Sequence, residues 1–347
     1  MSEINLPVTR YYGSKRKLIV SIWKELESLQ LEFNSVLDLF GGSAIFSYYA
    51  KAKNKRVIYN DIFSFNSIIG KALIQNDTNK LNKDDINNLL KAKRGIKYKK
   101  IIEKNFEDIY FTPKENKQID IIVQNIELLD DNEKKASAYY LLFQACLIKR
   151  PYNLFHRKNL NLRVNFNGGG FGNKVTWERS FEELFSKFLN ELDTLVFSNG
   201  KKNLSLNTSA LSCKKTADLV YIDPPYFRND DHVSYHAKYH FLEGLVHYHD
   251  IEKFINPLSR NKEILINKNH EFESKINFLN DLDSLINKHK DSIIVVSYRS
   301  NGIPSIDDII STVRAYKRNV KSINLGKYNY ALNRNNNENF EFLIVGI

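Results

Sequence analysis

Only two cysteines occur in the 347 residues, Cys146 and Cys213, far apart and without CxxC spacing. That excludes a disulfide framework and a cysteine-built zinc site, and it fits a reducing compartment. No apolar stretch approaches the roughly 18 residues needed to cross a bilayer. Nor do residues 1–18 hold an apolar core followed by a small-residue cleavage site. These absences predict a soluble protein of the bacterial cytoplasm. Internal repeats and long low-complexity tracts are also missing, which excludes a solenoid. Acid is the scarcer sign of charge: 40 Asp and Glu face 51 Lys and Arg, a net +11. With 42% hydrophobic residues the chain is a folded protein whose field attracts polyanions, so DNA or RNA is the first partner class to test. An AT-rich genome would leave a similar lysine-rich composition, so charge alone decides nothing.

Apolar residues at helical spacing from Leu18 to Leu29 predict a helix after a polar loop containing Gly13 and Ser14. Val36 to Phe40 reads as a short strand ending in a Gly-Gly-Ser turn. Ala44 to Lys51 then reads as a helix, and Arg56 to Tyr59 as a second strand. Strand, glycine turn, helix, strand and acid in that order open a doubly wound α/β sheet. Between about residues 75 and 190 the pattern changes to long lysine- and asparagine-rich helical stretches with a glycine cluster, Gly168 to Gly172, which predicts an inserted domain. Strands resume at Leu219 to Ile222, Ile293 to Ser297 and Phe342 to Val345. Asn333 to Asn339 reads as a polar, hairpin-like loop.

The turn Asp38-Leu39-Phe40-Gly41-Gly42-Ser43 offers a ligand close approach to the backbone and to the following helix N-terminus. Asp61 follows the second strand about twenty residues after Gly41, the offset at which one carboxylate accepts from both hydroxyls of a ribose. The three-glycine pattern GxGxxG is absent, so a pyrophosphate cradle cannot be drawn, and an adenosine without phosphates fits better. An ordinary strand-to-helix turn would carry the same two glycines.

Downstream, the apolar strand Leu219 to Ile222 empties into Asp223-Pro224-Pro225-Tyr226 at the carboxyl edge, where open α/β sheets bind ligands. Two successive prolines fix φ and remove two donors, leaving a rigid array of carbonyl and carboxylate acceptors. Such an array suits an amino group with two protons to donate. A capped, stiffened turn is the plainer alternative, against which placement after a buried strand argues.

Taken together, Tyr11-Tyr12-Gly13-Ser14-Lys15, the turn from Asp38 to Ser43, Asn60-Asp61 and Asp223-Pro224-Pro225-Tyr226 resemble, in content and order, the Dam-like, alpha-group adenine DNA methyltransferases. The resemblance spans most of the chain. It implies an α/β, Rossmann-like, class I S-adenosylmethionine-dependent fold, with a catalytic domain of residues 1–75 and 190–347. The inserted, mainly helical target recognition domain falls at 76–189. It implies S-adenosylmethionine as cofactor, with Tyr11, Lys15, Asp61 and Asp223 in contact with it beside Asp38, Phe40, Gly41, Gly42 and Ser43 of the turn. Asp223, Pro224, Pro225 and Tyr226 become the catalytic residues. The adenine amine is a poor nucleophile because its lone pair is delocalised, and acceptors at Asp223 and Pro224 favour the tetrahedral nitrogen that attacks. Tyr226 would stack on a base flipped out of the duplex. No metal and no histidine base are required.

Double-stranded DNA is the expected partner, with a cognate restriction endonuclease acting on the same site. Lys149, Arg150, Tyr152, His156, Arg157, Lys158 and Arg163 interleave bases and aromatics in the insertion and are the expected DNA contacts. Tyr328, Tyr330, Arg334 and the stretch Ser297 to Gly302 are further candidates. One departure stands out: where the family often has an acid upstream of the catalytic strand, this chain has Asn207, Thr208 and Ser209. His232, His236 and His240 share a spacing that suits a metal, but they lie among aromatics in a segment expected to face DNA. Cytosine N4 methylation and a catalytically silent DNA-binding protein remain the alternatives to adenine methylation.

Overall fold

The computed structural model describes residues 4–165, 174–225, 227, 233–266, 272, 276–327 and 339–347. The chain divides into two compact units, one of Met1–Asp77, Ser198–His232 and Asn269–Ile347, the other of Thr78–Phe197 and Val233–Lys268.

In the first unit the strands are β1 (Ser35–Asp38), β2 (Arg56–Asn60), β3 (Leu204–Leu206), β4 (Leu219–Ile222), β5 (Ile293–Arg299), β6 (Val320–Lys327) and β7 (Phe340–Gly346). They form one seven-stranded sheet in the order β3-β2-β1-β4-β5-β7-β6. β3, β2, β1, β4 and β5 run parallel, while β7 is antiparallel to both β5 and β6. This mixed α/β sheet is consistent with the class I methyltransferase fold. Its strand order reverses between β1 and β4, and that switch point opens the crevice where ligands of such sheets bind.

Buried on both sides, β4 is apolar throughout, as a central parallel strand must be. The helix Ile19–Ser28 buries Ile19, Ile22, Trp23 and Leu26 at the expected spacing. Trp23 packs against Phe46 and Tyr49 of the helix Ile45–Ala52. Phe46 in turn stacks on Tyr221 of β4 with ring centroids 3.6 Å apart, so the helix after the glycine turn is locked to the strand that precedes Asp223. β3 and β6 escape sequence reasoning. β3 has three residues, and β6 is a polar edge strand whose pattern gives no inward alternation.

The described elements of the second unit are helical, and their starts follow from capping chemistry. Thr112 and Glu115 form a capping box with Pro113 at the first helical position of Pro113–Glu127. Asn82 with Asp85 and Ser180 with Glu183 do the same for Lys83–Leu90 and Phe181–Leu195. The helix Asn132–Ile148 is buried continuously from Ala136 to Leu147, as an interior helix with apolar residues all round requires. No helix among the described residues is long and apolar enough to cross a membrane.

Candidate active site

Asp38 ends β1, and the chain then turns through Gly41 and Gly42 into the helix Ile45–Ala52. Two tyrosines hold this turn. A Cβ on Gly41 would lie 2.0 Å from the ring of Tyr59, whose hydroxyl donates to the Gly42 carbonyl at 2.9 Å. On the other side Tyr11 stands 3.2 Å from where a Gly42 Cβ would be, and its hydroxyl meets Asn66 Nδ2 at 3.2 Å. Gly42 also has φ +46°, a conformation that disfavours a side chain. Gly41 is therefore required by a buried ring, and not by ligand approach alone. We expect Gly41→Ala to lower stability by roughly 1–3 kcal/mol through overpacking, read as a drop in melting temperature; an unchanged melt would mean that Tyr59 can yield.

Asp61 follows β2 and closes the turn from below: Oδ2 accepts from the Gly42 N–H and Oδ1 from the Phe63 N–H, each at 2.8 Å. Asn60 ties three strand ends together, donating to the Leu39 and Thr208 carbonyls and accepting from Thr208 Oγ1. Where an acid is often found, Asn207 donates to the carbonyls of Asp61 and Ile62 and accepts from Ser64 Oγ, so it positions the backbone around Asp61.

Lys15 lies in a single helical turn capped by Ser14, whose hydroxyl also meets Thr9 and Ser43. Its ammonium is 3.0 Å from Asp223 Oδ1 and 2.8 Å from Glu341 Oε1, with Lys15 4% exposed and Glu341 0%. Ser297 Oγ of β5 donates to the same Glu341 oxygen at 2.8 Å. The N-terminal motif, the loop after β4 and the antiparallel strand β7 thus converge on one cation. Burial raises the Asp223 carboxyl to about 6; Lys15 opposes the rise and Glu341 adds to it. Burial likewise raises Asp38 to about 7, the Ser47 hydroxyl offsetting part of the shift and the charges of Asp223 and Asp61 reinforcing it. The arrangement is a cluster of carboxylates with one lysine, a surplus of negative charge at the carboxyl edge.

Pro224 is buried and Pro225 half-buried beside Asp223, while Phe40 packs edge-on to Phe272 at 5.1 Å. Tyr226, the glycine cluster 168–172, His232, Tyr328, Tyr330, Arg334 and the hairpin-like loop up to residue 338 lie outside the described residues. Glu341 was missed, although a lone acid inside the apolar run Phe340 to Val345 is a readable signal. Within Ser297 to Gly302, Ser297 bonds Glu341, and Arg299 is buried with its guanidinium on Asn339. Both side chains are thus engaged inside the unit.

The expected DNA contacts of the second unit need correction. Lys149 is buried, with Nζ 2.8 Å from Glu115 and on the carbonyls of Trp177 and Arg179. Arg163 places two bonds on Glu115, at 2.7 and 2.9 Å. Arg150 is buried among the carbonyls of Tyr110, Leu154 and Arg157, with its guanidinium over the rings of Tyr110 and Phe155. These three cations hold the unit together and are not offered to a phosphate. Of the other four, Tyr152, Arg157 and Lys158 are exposed and His156 is partly so. We expect Lys149→Met to lower stability by roughly 1–3 kcal/mol, since Glu115 loses one of its two cations, with no change in the salt dependence of DNA binding. A changed salt slope at unchanged stability would restore Lys149 as a DNA contact.

His240 is also structural. Its Nδ1 accepts from the Ile264 N–H at 3.0 Å, Nε2 faces the Tyr110 hydroxyl at 2.9 Å, and burial lowers it to about 3, so the ring is neutral. His236 lies 3.4 Å from Glu263. Among the described residues no cluster of three metal-type ligands occurs.

Comparison with known proteins bears on what this site does. The family model described as D12 class N6 adenine-specific DNA methyltransferase matches residues 11–312. Type II methyltransferase M2.HphI of Haemophilus parahaemolyticus is 31% identical over 235 residues, covering 65% of this chain and 68% of that protein. Modification methylase StsI of Streptococcus sanguinis is 27% identical over 368 residues, covering 96% of this chain and 51% of that protein. For modification methylase LlaI of Lactococcus lactis subsp. lactis the identity is 23% over 323 residues, with 88% and 49% covered. The chain thus spans about half the length of the last two.

Proposed function

The chain belongs to the D12 class N6 adenine-specific DNA methyltransferases, and from that premise we propose that it methylates the 6-amino nitrogen of an adenine flipped out of a specific duplex site. The methyl donor is S-adenosylmethionine, and the biological setting is the modification arm of a restriction-modification system, with a cognate endonuclease reading the same site. The observation that carries this reading is the convergence of Lys15, Asp223 and Glu341 beside the glycine turn at the switch point of the sheet.

The residues present fit that cofactor. Asp38, Asp61, Asp223 and Glu341 outnumber Lys15, and a net negative site suits a ligand with a sulfonium and an ammonium group. Asp61, Gly41, Gly42, Tyr11 and Lys15 are the groups that would hold it. When bound, it supplies an electrophilic methyl group. Asp223 accepts one amino proton of the adenine and the Pro224 carbonyl the other, which localises the nitrogen lone pair and stabilises the charge that develops there. Lys15 fixes the Asp223 carboxylate for that task, and the two prolines keep the acceptors from rotating away. Tyr226 stacks on the flipped base.

The second compact unit is the proposed target recognition domain, and its extent is Thr78–Phe197 together with Val233–Lys268. Exposed Tyr152, Arg157 and Lys158 are its proposed contacts within the segment 149–163. Incubation of the purified protein with duplex DNA and cofactor labelled in the methyl group tests the whole reading. Label recovered as N6-methyladenine supports it; label in N4-methylcytosine selects the cytosine alternative. Duplex binding with no transfer would leave only a DNA-binding protein.

A further inference from the structure

The basic surplus of the chain is unevenly placed. Residues 91–100 hold six cations, Lys91, Lys93, Arg94, Lys97, Lys99 and Lys100, and no acid, against a net charge of +11 for all 347 residues. More than half of that excess is carried by ten consecutive positions. All ten are exposed except Tyr98, which is half-buried. Among the described residues Lys91, Lys93, Arg94 and Lys97 have no carboxylate within ion-pair distance, whereas Lys100 lies 3.5 Å from Glu103 and Lys99 faces His249 at 3.2 Å.

A run of charge is ordinarily a floppy solvated segment, and this one is not. The helix Pro113–Glu127 clamps its backbone from below. Asn125, fully buried, donates to the carbonyls of Leu89 and Lys91, each at 2.9 Å, and accepts from the Tyr98 hydroxyl at 2.6 Å. The same hydroxyl receives the Lys93 N–H at 3.0 Å. Gln124 pairs with both backbone groups of Lys99, at 2.9 and 3.0 Å, and Tyr248 donates to the Lys99 carbonyl. Asp120 accepts the N–H groups of Ile102 and Glu103 at the start of the next helix. At the tip, Gly95 has φ +84° and the Ile96 N–H reaches the Lys93 carbonyl, the geometry of a tight turn that needs glycine in its third position and presents Arg94 in its second.

One buried amide, one half-buried amide, a carboxylate and two tyrosines thus fix a backbone that carries six cations, four of them without a carboxylate or imidazole partner among the described residues. Fixing the backbone beforehand removes part of the ordering cost of binding. Such a strap matches a row of phosphates better than a base edge, because lysine is a mobile point charge without a bidentate fork.

We propose that residues 91–100 form a preorganised strap that grips the phosphate backbone of duplex DNA independently of its sequence. The proposal rests on the DNA methyltransferase reading and adds the surface that supplies its sequence-independent affinity. It also relocates that surface from the segment 149–163, three of whose cations are interior.

The test is the triple variant Lys93→Ala, Arg94→Ala and Lys97→Ala, which leaves every backbone bond of the strap in place and touches no residue of the candidate active site. Binding of a methylatable duplex, of an unrelated duplex and of an RNA of similar length is measured across salt concentrations, with thermal melting and methylation kinetics alongside. Each phosphate contact contributes about 0.9 to the slope of log affinity against log salt, so the slope should fall by about 2 to 3 for both duplexes. Affinity at low salt should fall by about tenfold or more, expressed as a higher KM for DNA with kcat at saturating DNA unchanged. An unchanged slope in a variant that still melts as the wild type does overturns the strap. A loss confined to the methylatable duplex also overturns it, since that would mean base reading. Loss of binding to RNA with duplex binding intact would point to a different polyanion and overturn it too. If the wild-type protein itself neither binds nor methylates duplex DNA, the methyltransferase reading fails and the strap with it; failure of the variant alone leaves that reading intact.

Discussion

Asp223→Asn is expected to reduce methyl transfer by at least about 10³-fold, about 4 kcal/mol of barrier, while salt-dependent duplex binding stays as in the wild type. The exchange keeps the size of the side chain and reverses its chemistry. One acceptor oxygen becomes an NH2 donor, so the amide confronts either the Lys15 ammonium, now 3.0 Å from Oδ1, or the amino protons of the base. The negative charge that would balance the developing ammonium is lost as well. Single-turnover methylation measures the effect and filter binding measures the control. A rate within tenfold of wild type would remove Asp223 from the chemistry. Burial holds this carboxyl at about 6, so wild-type activity should fall as the pH drops through that value, because the protonated acid accepts the amino proton poorly and no longer balances the positive charge that develops on the nitrogen.

The parts of this site that were legible in the sequence are those where one residue type is chemically forced within a short motif. Asp223 follows an apolar strand, Gly41 and Gly42 follow another, and Asp61 keeps its offset; β4 runs over the residues that its unbroken apolar pattern predicts, Leu219–Ile222. The invisible parts are joined by tertiary contact alone. Glu341 lies 326 positions beyond Lys15, and only the antiparallel insertion of β7 between β5 and β6 brings it there. Ser297 and Asn60 stand in stretches that the sequence singles out, but their bonds to Glu341 and to the Leu39 and Thr208 carbonyls cannot be read there.

The cationic segment 149–163 shows the opposite error. Its alternation of basic and aromatic residues suits a DNA face, yet Arg150 stacks on Tyr110 and Phe155 from inside the unit. Buried arginine is uncommon and needs its hydrogen bonds satisfied. Three of those acceptors are backbone carbonyls, which leave no trace in the side-chain sequence, and the fourth is the side-chain oxygen of Asn159. The strap at 91–100 was readable as charge. Its rigidity was not, because that depends on Gln124, Asn125 and Tyr248, which are distant in sequence.

Lys15→Met should destabilise the first unit by about 3–5 kcal/mol at neutral pH, since it leaves two carboxylates around one vacated ammonium. Glu341 is fully buried and cannot be hydrated without opening the structure, and Asp223, 18% exposed, is hydrated only in part. The groups that face Asp223 are Lys15 from the N-terminal motif, Asp38 at the end of β1, Tyr221 on β4 and Glu341 on β7. Lys15 is the cation that lowers Asp223 against the effects of burial and of Glu341, so its loss drives the Asp223 carboxyl further above 6. A carboxyl raised in the folded state contributes stability that is present below its unfolded value and lost as pH rises through its folded value. The deficit of Lys15→Met should therefore be largest above the raised pKa and shrink as pH falls towards the unfolded value of 3.8. Denaturant melts across that range read it directly. Adding Glu341→Gln to Lys15→Met removes the second charge while keeping a hydrogen-bond acceptor for Ser297, and should recover much of the stability without recovering activity. Glu341→Gln alone should move the acid limb of the rate profile to lower pH, because Asp223 loses a like-charged neighbour and keeps Lys15 to itself. A Lys15→Met deficit independent of pH, or a double variant no more stable than the single one, would show that Lys15 is held there by packing and not by the two carboxylates.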